Sequence, residues 1–182
     1  MTAPPRPKSR FPLARLWDVL AVAVVAFALW KIFVAPRAFE SAARAQPAPH
    51  AVFARLDGGA VRVADLRGRV LFLDFYASWC GPCKIELPLV ESWARKHPGS
   101  IVVPVDVAEP RAVVSAFARK YGLSNVAYDP QGDARGIFSL GGFPTVVVVD
   151  PAGRIRAKWE GLNPAIALAM SNAETSLGTT TR

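Results

Sequence analysis

The sequence is poor in the residues that build disulfide frameworks and metal centres: two cysteines, two histidines and two methionines in 182 residues. Two Cys cannot staple a scaffold, and a chain of this length with 52% hydrophobic residues can bury a core without staples. No internal repeat is visible. The net charge of +8 would suit nucleic acid or an anionic membrane, but its distribution argues against the first. Residues 1–50 hold seven of the 22 basic side chains (Arg6, Lys8, Arg10, Arg15, Lys31, Arg37, Arg44) and only two acidic ones, Asp18 and Glu40. Beyond residue 50 the remaining charges are nearly balanced and form no run that could track phosphates, so no nucleic-acid partner is expected.

The first fifty residues read as an address. Residues 1–15 form a basic, cytoplasmic N-terminus, and LWDVLAVAVVAFALWKIFVA over 16–35 is predicted to be a single transmembrane signal anchor. Asp18 and Lys31 lie near its ends, and Trp17 and Trp30 sit where interfacial aromatics belong. The preceding Arg and Lys side chains keep the N-terminus inside. The rest of the chain is then expected on the periplasmic or extracytoplasmic side of the inner (cell) membrane. A cleaved signal peptide, leaving a soluble periplasmic domain, is the lesser alternative. It has an A-x-A match at Ala43-Arg44-Ala45, but well past the apolar end. Residues 36–50, rich in Ala and Pro, read as a tether.

From residue 51 to 178 strands alternate with helices. Val52–Leu56 and Val61–Val63 flank Asp57-Gly58-Gly59, a hairpin signal. Val70–Tyr76 and Ile101–Asp106 are apolar enough for strands covered on both faces. A helix follows the cysteines to about His97, with a kink expected at Pro88. Pro110–Tyr121 reads as a helix ended by Gly122, Val126–Tyr128 as a short strand and Ala134–Phe138 as a short helix. Thr145–Val149 and Ile155–Glu160 form a second hairpin, and a last helix runs from Ala165 to about Ser176. The fold class is α/β, a mixed sheet between helices. Residues 179–182 read as a frayed tail.

The two cysteines stand as Cys80-Gly81-Pro82-Cys83 at a strand-to-helix junction. Haem attachment would need His after the second Cys, where Lys84 stands. Zinc would need two more ligands, and only His50 and His97 exist. Reversible dithiol–disulfide chemistry remains, against the plain alternative of two buried thiols. The helix N-terminus favours an anion at Cys80, which raises its thiolate fraction. Gly81 and Pro82 suit a tight turn into the first helical positions. Cys83, one turn inside, is shielded from solvent yet near enough to resolve a mixed disulfide on Cys80. No cofactor is called for.

Trp79-Cys80-Gly81-Pro82-Cys83-Lys84 is the thioredoxin motif, and VLFLDFYASWCGPCKIELPLV resembles the membrane-anchored TlpA/ResA-type thiol–disulfide oxidoreductases and cytochrome c maturation reductases. The resemblance runs from about Val52 to Gly161 and includes Gly142-Phe143-Pro144-Thr145. It implies a thioredoxin-like fold with an N-terminal β-hairpin extension, and a redox-active Cys80–Cys83 pair with Cys80 as nucleophile and Cys83 as resolving thiol. It also implies a cis Phe143–Pro144 bond beside the CxxC, with Trp79, Gly81, Pro82, Phe143 and Pro144 lining the substrate site. Trp79 and Lys84 are expected as walls rather than reactants. Asp74, in an apolar strand, matches the buried acid of thioredoxins that relays a proton to the resolving thiol. The anchored branch often has a neutral residue there and a Glu three positions after the second Cys, here Glu86. This sequence has both, so either could be the relay.

The resemblance implies protein disulfides as substrates, such as apocytochrome c or an oxidase assembly factor, and a transmembrane electron donor of the DsbD/CcdA kind. The Gly-Pro dipeptide is similar to that of reducing thioredoxins, with potentials of about −270 mV rather than about −120 mV. A peroxiredoxin-type peroxidase is a second reading, for which the run lacks the lone Cys with its nearby Thr and Pro. A thiol metallochaperone is a third, for which the downstream His is missing.

Overall fold

The computed structural model describes residues 13–33 and 45–178, with side chains in the first stretch described for residues 17–27. The expected tail at 179–182, most of the expected cytoplasmic segment and the tether as far as residue 44 lie outside the described residues. The chain divides into two compact units, Met1–Ala35 and Pro36–Arg182.

The first unit contributes one helix, α1 (Leu13–Phe33). Its described side chains from Trp17 to Phe27 are all exposed, and apart from Asp18 they are apolar. Among the described residues no helix is long and apolar enough to cross a membrane.

The second unit is a seven-stranded mixed sheet with helices on both faces. Its elements are β1 (Val52–Arg55), β2 (Ala60–Arg62), a 3-10 turn (Val63–Leu66), β3 (Leu71–Tyr76), α2 (Gly81–Lys96), β4 (Ile101–Val107), α3 (Arg111–Tyr121), β5 (Ala127–Asp129), α4 (Ala134–Ile137), β6 (Thr145–Val149), β7 (Ile155–Glu160) and α5 (Ile166–Gly178). The strand order is β2-β1-β5-β4-β3-β6-β7. Parallel pairs β3/β4 and β4/β5 form the centre, and β6, β7, β1 and β2 join antiparallel. This is the thioredoxin-like arrangement, with the β1–β2 hairpin added at one edge.

Alternation along β3 assigns the two cores. Leu71, Leu73 and Phe75 point to the face covered by the β1–β2 hairpin and α4. Phe72 points to the other face, against Trp93 of α2, Trp159 of β7 and Met170 of α5. Every residue of β3 is buried, as its run of apolar residues around Asp74 requires. Asp74 and Tyr76 share the parity of Phe72 and so lie on the α2 side.

α2 stays helical from Gly81 to Lys96 across Pro88, which has no N–H to donate to Lys84. Gly122 ends α3 at φ +63°, a left-handed conformation that costs glycine nothing. Residues 45–50, which composition assigns to the tether, are part of the folded unit. Ala45 is buried, Gln46 accepts from Ile155 N–H at 2.8 Å, and Ala48 N–H donates to Gly153 at 2.8 Å. Arg154 adds a guanidinium bond to the Ala45 carbonyl at 2.7 Å. Composition missed this strap because its hydrogen bonds are to the distant β6–β7 turn rather than local.

Candidate active site

The site forms where β3 ends. A buried strand delivers Tyr76 and Ala77, Ser78 and Trp79 turn outward, and Cys80 caps α2. Cys80 has extended backbone angles, φ −72° and ψ 112°, as an N-cap residue should, and Pro82 sits in the first turn where its missing N–H is harmless. Cys80 and Cys83 are joined as a disulfide with Cα atoms 5.3 Å apart. Cys83 N–H donates to Cys80 Sγ at 3.1 Å. In the reduced form the same N–H and the helix N-terminus would stabilise a thiolate on Cys80. Cys80 retains slight exposure while Cys83 has none. Only the first sulfur is within reach of a partner from solvent.

Phe143 and Pro144 lie beside this pair. The Phe143–Pro144 peptide is cis, Pro144 is buried, and Phe143 packs against the cluster containing both cysteines, Tyr76 and Leu87. Trp79 is two-thirds exposed and meets the Phe143 ring edge-on at 6.1 Å. The Arg135 guanidinium stands 4.5 Å from the Phe143 ring centroid. Trp79, Gly81, Pro82 and Lys84 are all exposed around Cys80.

Both carboxylates singled out from the sequence are buried, Asp74 of β3 completely and Glu86 of α2 almost so. Asp74 has no hydrogen-bond partner on either oxygen. Burial first, and the charge of Glu86 second, push its pKa well above the usual carboxylate range. Glu86 Oε2 accepts from the backbone N–H of Asn163 at 2.6 Å. Glu86 thus ties α2 to the β7–α5 loop, a structural role its helix position did not announce.

Sequence reasoning missed a second acidic group. Asp106 of β4 pairs in register with Tyr76 and is completely buried. Its pKa is raised to about 8, by burial first and then by the neighbouring Glu109 carboxylate. Burial and the carboxylates Asp106, Asp74 and Glu109 likewise raise the Tyr76 phenol, whose ring stacks on Phe117 at 5.4 Å. Glu109 accepts from both the N–H and the hydroxyl of Ser78, the latter at 2.7 Å. The signal for Asp106 was the one that exposed Asp74, a carboxylate inside an apolar strand.

His97, the one histidine after the CxxC, is at the far end of α2. It stacks on Trp93 at 4.1 Å and meets Glu174 at 2.6 Å. His97 is therefore not brought to the cysteines.

Comparisons with known proteins agree with this geometry. The model of the AhpC/TSA family matches residues 45–158, beginning at the strap. A thiol-disulfide oxidoreductase ResA from Geobacillus kaustophilus is 32% identical over 112 residues, 60% of this chain and 64% of that protein. The chain thus spans just under two thirds of that relative's length. The ResA protein of Bacillus cereus is 31% identical over 137 residues, 74% of this chain and 78% of its own. Among solved structures, a candidate DsbE thiol:disulfide interchange protein from Chlorobium tepidum superposes with a TM-score of 0.68 at 28% identity, covering 73% of this chain and 96% of that one. With a matched model across most of its length and a thioredoxin-like sheet bearing a Cys80–Cys83 disulfide, the chain belongs to the AhpC/TSA family.

Proposed function

We propose that this protein is a thiol–disulfide oxidoreductase that reduces disulfides of protein partners. The observation that carries this reading is the Cys80–Cys83 disulfide at the N-terminus of α2, with one sulfur accessible and cis-Pro144 beside it. The relatives' names, thiol-disulfide oxidoreductase and thiol:disulfide interchange protein, support the same chemistry.

The cycle balances with the residues present. The Cys80 thiolate attacks one sulfur of a partner disulfide, forming a mixed disulfide and releasing the other sulfur as a thiolate that takes up a proton. Cys83 gives its proton to a buried carboxylate and attacks Cys80 Sγ. The second partner sulfur leaves, and the Cys80–Cys83 bond forms. Two electrons have passed to the partner, and a donor dithiol must return two. Asp74 is the relay we assign for the Cys83 proton: it is buried, has no hydrogen-bond partner to hold it, and burial raises its affinity for a proton.

The apolar 16–35 segment behind a basic flank supports anchoring in the cell membrane with this domain outside. There an electron donor of the DsbD/CcdA kind would keep it reduced, and apocytochrome c or an oxidase assembly factor would be its client. Anchoring raises the effective concentration of domain and membrane partners for one another.

Insulin-disulfide reduction by the reduced chain tests the chemistry. Activity should vanish in Cys80→Ser, and Cys83→Ser should accumulate a mixed disulfide. Tight copper binding with insulin left intact would overturn the reading. An alkaline phosphatase fused after residue 178 should be active in cells; an inactive but expressed fusion overturns the exported placement.

A further inference from the structure

Behind the CxxC loop lies an acidic pair that the exchange cycle above does not use. Asp106 faces the α2 side of the sheet, opposite Tyr76 in the β3–β4 register, and no hydrogen bond of ordinary geometry reaches either of its oxygens. Three residues later Glu109 comes off the β4–α3 turn and closes on the loop. One oxygen accepts from the Ser78 hydroxyl at 2.7 Å and the other from the Ser78 N–H. Ser78 is two residues before Cys80, so this grip acts on the segment that delivers the attacking sulfur.

The backbone between the two acids is built to bring them together. Ala108 has φ +68°, a left-handed conformation that costs a residue with a Cβ about 1–2 kcal/mol. It is pinned there by its N–H, which donates to Asp129 at 2.8 Å. Relaxing Ala108 would swing Glu109 away from Ser78.

The groups facing the pair come from several elements. Tyr76 and Asp74 belong to β3, Tyr128 is the β5 register partner of Asp106, and Cys80 and Cys83 stand at the start of α2 in the cluster that holds Tyr76. On α3, the exposed Arg111 donates instead to the Leu56 carbonyl at 2.8 Å. Among the described residues, neither acid belongs to a salt bridge. Two carboxyls this close without a cation cannot both ionise cheaply. Glu109 is half-exposed and grips two donors, whereas Asp106 is fully buried with none, so burial holds the proton on Asp106.

We propose that Asp106 and Glu109 together position the CxxC loop, the buried Asp106 staying neutral behind it so that Glu109 can hold Ser78 by both oxygens. Loss of the Asp106 proton puts a second negative charge beneath the loop, loosens the grip and disfavours the Cys80 thiolate, so exchange slows. The raised Asp106 pKa, about 8, puts this change within the range where thiols themselves ionise. This inference rests on the thiol–disulfide reading above.

The test uses the reduced full chain and follows reduction of insulin and of oxidised glutathione from pH 6.5 to 9.5. The rate of Asp106→Asn relative to the wild type should rise from near unity at the acid end to about threefold or more at the alkaline end, since the amide stays neutral. At pH 7, Glu109→Ala should lose about tenfold, because both charge-assisted bonds go. Glu109→Gln, which can still bond Ser78, should recover most of that rate, and Ser78→Ala, at a half-exposed position, should fall between. Superimposable pH profiles for wild type and Asp106→Asn, or Glu109→Ala at the wild-type rate, would overturn the pair. A wild type inactive on both substrates would instead overturn the oxidoreductase reading, so the two failures are distinguishable.

Discussion

Asp74 and Glu86 are both buried, close enough for the charge of Glu86 to help raise the pKa of Asp74, yet their environments differ. Glu86 is bound to the Asn163 N–H at 2.6 Å, whereas both oxygens of Asp74 are without a partner. A carboxylate that already serves as an acceptor is a poor shuttle, because each proton transfer must disturb that bond. Asp74→Asn should therefore slow the attack of Cys83 on the mixed disulfide by about a hundredfold, the low end for general acid–base catalysis. Glu86→Ala should slow it by less and lower the melting temperature more, because it removes the acceptor that ties α2 to the β7–α5 loop. Stopped-flow resolution of a preformed Cys80 mixed disulfide separates the two. Equal losses in both variants would count against the assignment.

The buried acids also set how stability varies with pH. A carboxyl that titrates near 3.8 when unfolded and near 8 when folded binds its proton more tightly in the folded state. Its favourable contribution is complete below 3.8 and is lost as pH rises through 8. Asp74, also raised, acts in the same direction. The wild-type urea midpoint should thus fall steadily from pH 5 to pH 9. In Asp106→Asn and Asp74→Asn that fall should be shallower, so that each variant gains on the wild type as pH rises. A constant offset between variant and wild type across this range would contradict the linkage.

The sheet, the helices flanking it and the CxxC turn were legible because each follows from a local pattern. A run apolar except at Asp74 makes β3, and a Gly-Pro step opens α2 at the end of the β3–α2 loop. Asp74 was legible because a charge inside such a run is anomalous. The partnerships were not legible, since they join residues far apart in sequence. Glu109 meets Ser78 across 31 positions and Glu86 meets Asn163 across 77. The strap at 45–50 was misassigned for the same reason: Arg154 reaches Ala45 across 109 positions, which composition cannot reveal.

Glu91 is a buried carboxylate away from the cysteines, and its partners define its role. It accepts from Ser124 N–H at 3.1 Å, from Ser124 Oγ at 2.8 Å and from Arg95 at 3.1 Å, so it ties α2 to the turn between α3 and β5. Glu91→Ala removes the acceptor of both Ser124 donors and should cost about 1–2 kcal/mol, since water can reach the exposed Ser124. Chemical denaturation measures that loss. The insulin-reduction rate per folded molecule should stay at the wild-type value, because Glu91 is two turns along α2 from Cys83.

Arg135 offers a handle on client charge. Its guanidinium lies over the Phe143 ring, exposed and next to the cis-Pro segment. Arg135 and the exposed Lys84 thus place two cations around an attacking sulfur whose approach is bounded by Trp79. Opposite charges at such a rim act chiefly on the rate of encounter and are screened by salt. Arg135→Glu should therefore slow reduction of oxidised glutathione, an anion, by about three- to tenfold at low ionic strength, and should leave cystamine, a cation, unchanged or faster. At 0.5 M salt the difference between the two substrates should shrink to less than about twofold. If both substrates slow equally and salt has no effect, Arg135 acts by holding Phe143 in place rather than by steering the client.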